Sequence, residues 1–134
     1  MKLEVSCQHK YQGNYVRHIT RVLKKLPKDV KEDICKNCVV FIPGKEHGYY
    51  YYKTNKEIII LNWFAMQFDK ISLKQIRYTI AHEFAHYILK HKNLTKEEEK
   101  ILSVEHEKEA DDLATQWGFP PDKKYKLRHC RTFQ

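Results

Sequence analysis

Four glycines and four prolines in 134 residues are too few for a loop-rich all-β chain, so helices and a few strands must carry the fold. Four cysteines, Cys7, Cys35, Cys38 and Cys130, make no disulfide framework in a chain of this size. Cys35-Lys36-Asn37-Cys38 is a C-x-x-C without the second pair that a zinc knuckle needs. A redox reading would want a strand before the pair and a helix after it, whereas apolar Val39-Val40-Phe41-Ile42 follows here. These thiols read as structural. No apolar run is long enough to span a bilayer; the longest, about residues 58–66, is interrupted by Asn62. Met1-Lys2-Leu3-Glu4-Val5 leads into polar residues rather than into the apolar core of a secretory signal, so the expectation is a cytoplasmic protein with no membrane role.

What is present is apolar and basic. The hydrophobic fraction is 42%, with nine tyrosines, six phenylalanines and two tryptophans, which is enough for a packed core. The length predicts a single domain over 1–134. The formal charge of +8 favours acidic partners and leaves nucleic acid open. The lysines are spread along the chain, however, and the one dense stretch, Lys123 to His129, lacks the pattern of a known nucleic-acid module. A solvated basic surface accounts for it, and no direct nucleic-acid binding is expected.

Periodicity gives the elements. Val16, Ile19, Val22, Leu23 and Leu26 predict a helix over Asn14–Leu26, ended by Pro27. Asp29–Cys35 predicts a second, short one. Val39–Ile42, Tyr49–Tyr52 and Glu57–Leu61 read as strands, the last of them buried, and suggest an antiparallel meander. Ser72-Leu73-Lys74-Gln75 is a capping box that opens a helix reaching about His91. Thr95-Lys96-Glu97-Glu98 opens another, which runs towards Trp117 and is stopped by Gly118 and Pro120.

The first of these two helices contains His82-Glu83-Phe84-Ala85-His86, an H-E-x-x-H. Residues four apart lie on one helix face, so two imidazoles at this spacing can share one metal ion. Glu83, one residue on, is placed to act as general base on a water beside the ion without ligating it. A third ligand is sought in Glu105 to Asp112. The apolar face of that segment is Ala110, Leu113, Ala114 and Trp117. Glu107 falls roughly 70° from its centre, while Glu109 and Glu105 fall roughly 90° and 130° away on the other side. Glu107 therefore borders the core most closely, and Asp111, four residues on, is placed to orient a ligand histidine. His106 and Glu109 remain as rivals for the third position. Two imidazoles and a carboxylate favour zinc, one ion per chain. For a second electrophile the candidates are His47 and the tyrosines Tyr49 to Tyr52.

Arg77-Tyr78-Thr79-Ile80-Ala81-His82-Glu83-Phe84-Ala85-His86-Tyr87-Ile88-Leu89 resembles the signature helix of the ImmA/IrrE metallopeptidases, and Glu107-Lys108-Glu109-Ala110-Asp111-Asp112-Leu113-Ala114 resembles their downstream segment. The likeness covers roughly residues 38–120. Ala85 stands where many members have Gly, Asp111 where many have Asn, and Leu113 where many have Phe. The resemblance implies an α+β, gluzincin-like fold, with a small, mostly antiparallel sheet packed on the H-E-x-x-H helix and a third-ligand helix. It also implies Glu107 as the third ligand. The implied activity is zinc-dependent endopeptidase cleavage of a protein, such as a helix-turn-helix repressor of a mobile element or stress circuit. The competing expectation is a metal-containing regulator that binds a DNA-binding partner without cutting it.

Overall fold

The computed structural model describes residues 2–7, 12–42, 54–61, 72–90 and 96–122. Tyr49–Tyr52, His47, the Thr95 cap and the basic stretch 123–129 lie outside them.

Cys38-Val39-Val40-Phe41-Ile42 is a continuous apolar run with three β-branched residues, and it forms the central strand β2 (Cys38–Ile42), buried at every position. On one side it pairs with β1 (Glu4–Cys7), with Val5 opposite Val40. On the other it pairs with β3 (Glu57–Ile60), with Val40 opposite Ile59. Both pairings are parallel, and the order is β1-β2-β3. The antiparallel meander expected from the sequence is therefore corrected for these strands. Parallel neighbours need a crossover of about a dozen residues or more. Two helices supply the first crossover, α1 (Gln12–Lys25) and α2 (Lys28–Asn37), and residues 43–56 span the second. In β3 only one face is covered: Ile59 is buried, while Ile58 and Ile60 are 38% and 44% exposed. The strand expected to be buried is half-buried.

Tyr15, Ile19, Val22 and Leu23 form the buried apolar face of α1, and Leu26, just past its end, is buried with them; Tyr15 takes the place that the sequence reading gave to Val16. The helix α3 (Leu73–Ile88) starts where Ser72 Oγ accepts the Gln75 N–H at 3.1 Å, the expected cap. Gln75 does not return the bond. Its Oε1 accepts the Asp122 N–H at 3.1 Å, and Ser72 Oγ donates to Asp122 at 2.7 Å. These bonds tie the chain beyond α4 (Lys96–Gln116) to the start of α3, so the two helices run antiparallel.

The stop of α4 is a Schellman turn: Gly118 at φ +98° donates to Thr115 O, and Phe119 donates to Ala114 O at 2.8 Å and is buried. Ala110 and Ala114 on α4 and Ala81 and Ala85 on α3 are fully buried, and such small residues let the two backbones approach closely. With α1 on one side of it and α4 on another, α3 is buried over most of its circumference, polar Gln75, Thr79 and His82 included. No described helix is long and apolar enough to cross a membrane.

Candidate metal centre

Tyr78, His82 and His86 stand four residues apart on α3, and Glu107 and Asp111 stand four apart on α4. Antiparallel packing sets the two stripes against each other. His82 Nε2 lies 2.9 Å from Glu107 Oε2. His86 Nε2 lies 3.0 Å from Glu107 Oε1 and 3.0 Å from His82 Nε2. One donor atom from each of the three residues falls within 4.8 Å of the other two, a set that could hold a metal ion. Zinc with ligands at about 2.0–2.1 Å in a tetrahedron requires donor separations of about 3.3 Å. The observed spacings fall a few tenths of an ångström short of that, so the donor set fits such an ion with a small opening of the side chains.

The ring of His82 is fully buried and held from behind. Its Nδ1–H donates to Asp111 Oδ1 at 2.8 Å, and this leaves Nε2 facing Glu107 and His86. The Tyr78 hydroxyl also donates to Asp111 Oδ1 and lies 3.4 Å from His82 Nδ1. Burial works against a charge on His82. The hydrogen bonds to Asp111 and Glu107 outweigh it, and the imidazole is pushed up to about 9. Burial likewise opposes the charge on Glu107, and the hydrogen bonds from His82 and His86 overcome it, holding this carboxyl well below the usual range. Burial pushes the half-buried Glu83 carboxyl up, against the lowering by the two histidines. A carboxylate so raised is a better proton acceptor than a solvated one.

Of the sequence candidates, His82, His86 and Glu107 come together. Among the rivals, His106 is half-buried and Glu109 exposed, and neither belongs to the cluster. Asp111 lies behind His82, where the i+4 spacing from Glu107 put it. Tyr78 was not singled out in the sequence. Its only signal was its position one turn before His82.

The sequence profile of the family described as Peptidase U49 matches residues 52–133, more than half of the chain. The matched span contains β3, α3, α4 and every residue of the cluster; β1, α1, α2 and β2 precede it. The match shows a peptidase family and leaves the ImmA/IrrE likeness resting on the motif residues alone. No curated protein and no solved structure matches the chain.

Proposed function

We propose, from the premise that this chain belongs to the Peptidase U49 family, that it is a zinc-dependent endopeptidase with His82, His86 and Glu107 as ligands and Glu83 as general base. The observation that carries the reading is the convergence of two imidazole nitrogens and one carboxylate from two helices, on a chain whose family is one of peptidases. Zinc, when bound, supplies a Lewis acid and brings the pKa of water to about 7. The protein's own groups do the rest. Asp111 fixes the tautomer and tilt of His82 through Nδ1, and Tyr78 holds Asp111. Glu83, on the ligand helix between the two histidines, takes the proton of the attacking water and passes it to the leaving amine. The ligand carboxylate of Glu107 offsets part of the cation's charge.

The substrate is a protein. The likeness of residues 77–89 to the ImmA/IrrE helix makes helix-turn-helix repressors the first substrates to test. Elemental analysis of the wild type should find about one zinc per chain. His82→Ala and Glu107→Ala should lose it, and His106→Ala should keep it. Glu83→Gln should keep the metal and lose all cleavage of a protein that the wild type converts to defined fragments. A Glu83→Gln variant that still cuts would remove the general-base role, and zinc retained without His82 would remove the ligand set.

A further inference from the structure

Beside its apolar face, α1 carries a second stripe. Asn14, Arg17, His18 and Arg21 fall at positions i, i+3, i+4 and i+7, so they share one side of the helix. Leu73 and Arg77, one turn apart at the start of α3, stand across from them, and together the six residues line a cavity of about 290 Å³. His18 is buried, Arg77 half-buried, and Arg17 and Arg21 are exposed.

Three arginines line the cavity, and among the described residues no carboxylate pairs with any of them. Asn14 Oδ1 accepts from Arg17 Nη2 and steadies that side chain. Arg77 Nε is buried and finds no hydrogen-bond partner among the described residues. A buried donor left in this way is costly, the more so on a charged group, and a ligand that accepts from it relieves that cost. Burial first, then the charges of Arg77, Arg17 and Arg21, hold His18 below its ordinary value. Among the described residues the cavity is a concave region of positive potential with no carboxylate paired to its arginines.

We propose that this cavity binds the dianionic phosphate of a small phosphomonoester. Guanidinium forks match phosphate oxygens in pairs, and three of them suit a dianion better than a single carboxylate. The volume lies near the lower end of small-ligand sites, about 300 Å³, which leaves room for the phosphate and a modest attached group. A single open-mouthed cavity of this volume, with three arginines around it, suits one phosphate group rather than a run of them along a polymer backbone. Arg77 lies about 7 Å along α3 from His82 and roughly 140° around the helix, so the site is separate from the metal cluster.

The test is calorimetric titration of the full zinc-loaded chain at fixed ionic strength, with inorganic phosphate, a nucleoside 5′-monophosphate, and a short DNA oligonucleotide lacking terminal phosphates. Saturable binding of the first two is expected at about one per chain, weakened by about tenfold or more in Arg21→Gln/Arg77→Gln. Arg17→Gln/Arg21→Gln alters only exposed residues and should show the same loss with an unchanged melting temperature. Lys28→Gln/Lys36→Gln removes the same charge from the exposed side of α2 and should bind as the wild type does. The metal ions in the sample are a second phosphate binder, but binding there survives the arginine substitutions and would overturn the proposal. Absence of saturation, equal weakening in the lysine control, or tighter binding of the oligonucleotide would overturn it too.

Discussion

Asp111 touches no position that an ion would occupy, yet it bears directly on metal affinity. It accepts the Nδ1–H of His82 at 2.8 Å, and without it the ring is free to turn or to carry its proton on Nε2. Asp111→Asn should therefore weaken zinc binding by about 10–100-fold with the three ligands intact. Tyr78→Phe removes only the hydroxyl that holds Asp111 and should weaken it less, by about tenfold or below. Competition against a chromophoric chelator reads both, and equal affinity in wild type and Asp111→Asn would separate the carboxylate from the metal site. At this scale the sequence was informative where one helix decides the geometry. The i, i+4 spacing of His82 and His86 needs no tertiary knowledge, and the apolar face of the later helix was enough to favour Glu107 over Glu109. Tyr78 was not legible, because its partner Asp111 is brought to it by the packing of α4 and not by any local pattern. The arginine stripe of α1 was not legible either: charges at helical spacing look like solvated surface until Leu73 and Arg77 close the other side.

Helix junctions carry the next two predictions. The Tyr87 hydroxyl near the end of α3 donates to Asp33 Oδ1 of α2 at 2.7 Å. Asn37 first, and then Tyr87, hold the Asp33 carboxyl below its ordinary value. A carboxylate whose pKa is depressed by folding contributes stability above its unfolded pKa of about 3.9, and the contribution is lost as the pH falls through the folded value. Tyr87→Phe should cost about 1 kcal/mol at pH 7 in urea unfolding, and its deficit should shrink once the pH falls below about 4. A deficit that does not change with pH would mean that the ionised carboxylate is not what the hydroxyl serves. At the other end of the pair, Gly118 holds φ +98° with nothing within 4 Å of the place a Cβ would take. Gly118→Ala meets no clash, so its whole cost is the left-handed backbone, about 1–2 kcal/mol, read as a lower melting temperature. Capping and stopping residues made these helices readable from sequence. The strand β1 was not read, although Leu3, Val5 and Cys7 alternate with Glu4 and Ser6 as on a half-buried strand; so short a run gains its meaning only when Val40 pairs alongside. Missing it also hid the parallel order, since α1 and α2 only become a crossover once a strand precedes them.

The family match begins at residue 52, yet the core does not respect that boundary. The central strand β2 lies wholly outside the match, and so do Tyr15, Ile19, Val22 and Ile34, all of them in the core that includes Ile76, Ile80 and Phe84 of α3. Burying each of Val39, Val40, Phe41 and Ile42 is worth about 1.5–3 kcal/mol, so β2 alone supplies roughly 6–12 kcal/mol. Ordering the chain offsets much of such a gross gain, but the gain is comparable in size with the whole net margin of about 5–15 kcal/mol, so a core without β2 is badly weakened. The ligand helices therefore depend on residues that the family profile does not cover: α3 packs on α1, and β3 has β2 as its pairing partner. A fragment of residues 52–134 holds every member of the metal cluster but should not fold. It should show no cooperative thermal transition, and it should bind zinc far more weakly than the full chain, because the free energy of assembling His82, His86 and Glu107 is then subtracted from that of binding. Calorimetry of the fragment beside the full chain decides the matter. A sharp transition with zinc retained would show that α3 and α4 make a self-sufficient unit, and that the parallel sheet with its two crossover helices is an addition to the site rather than its foundation.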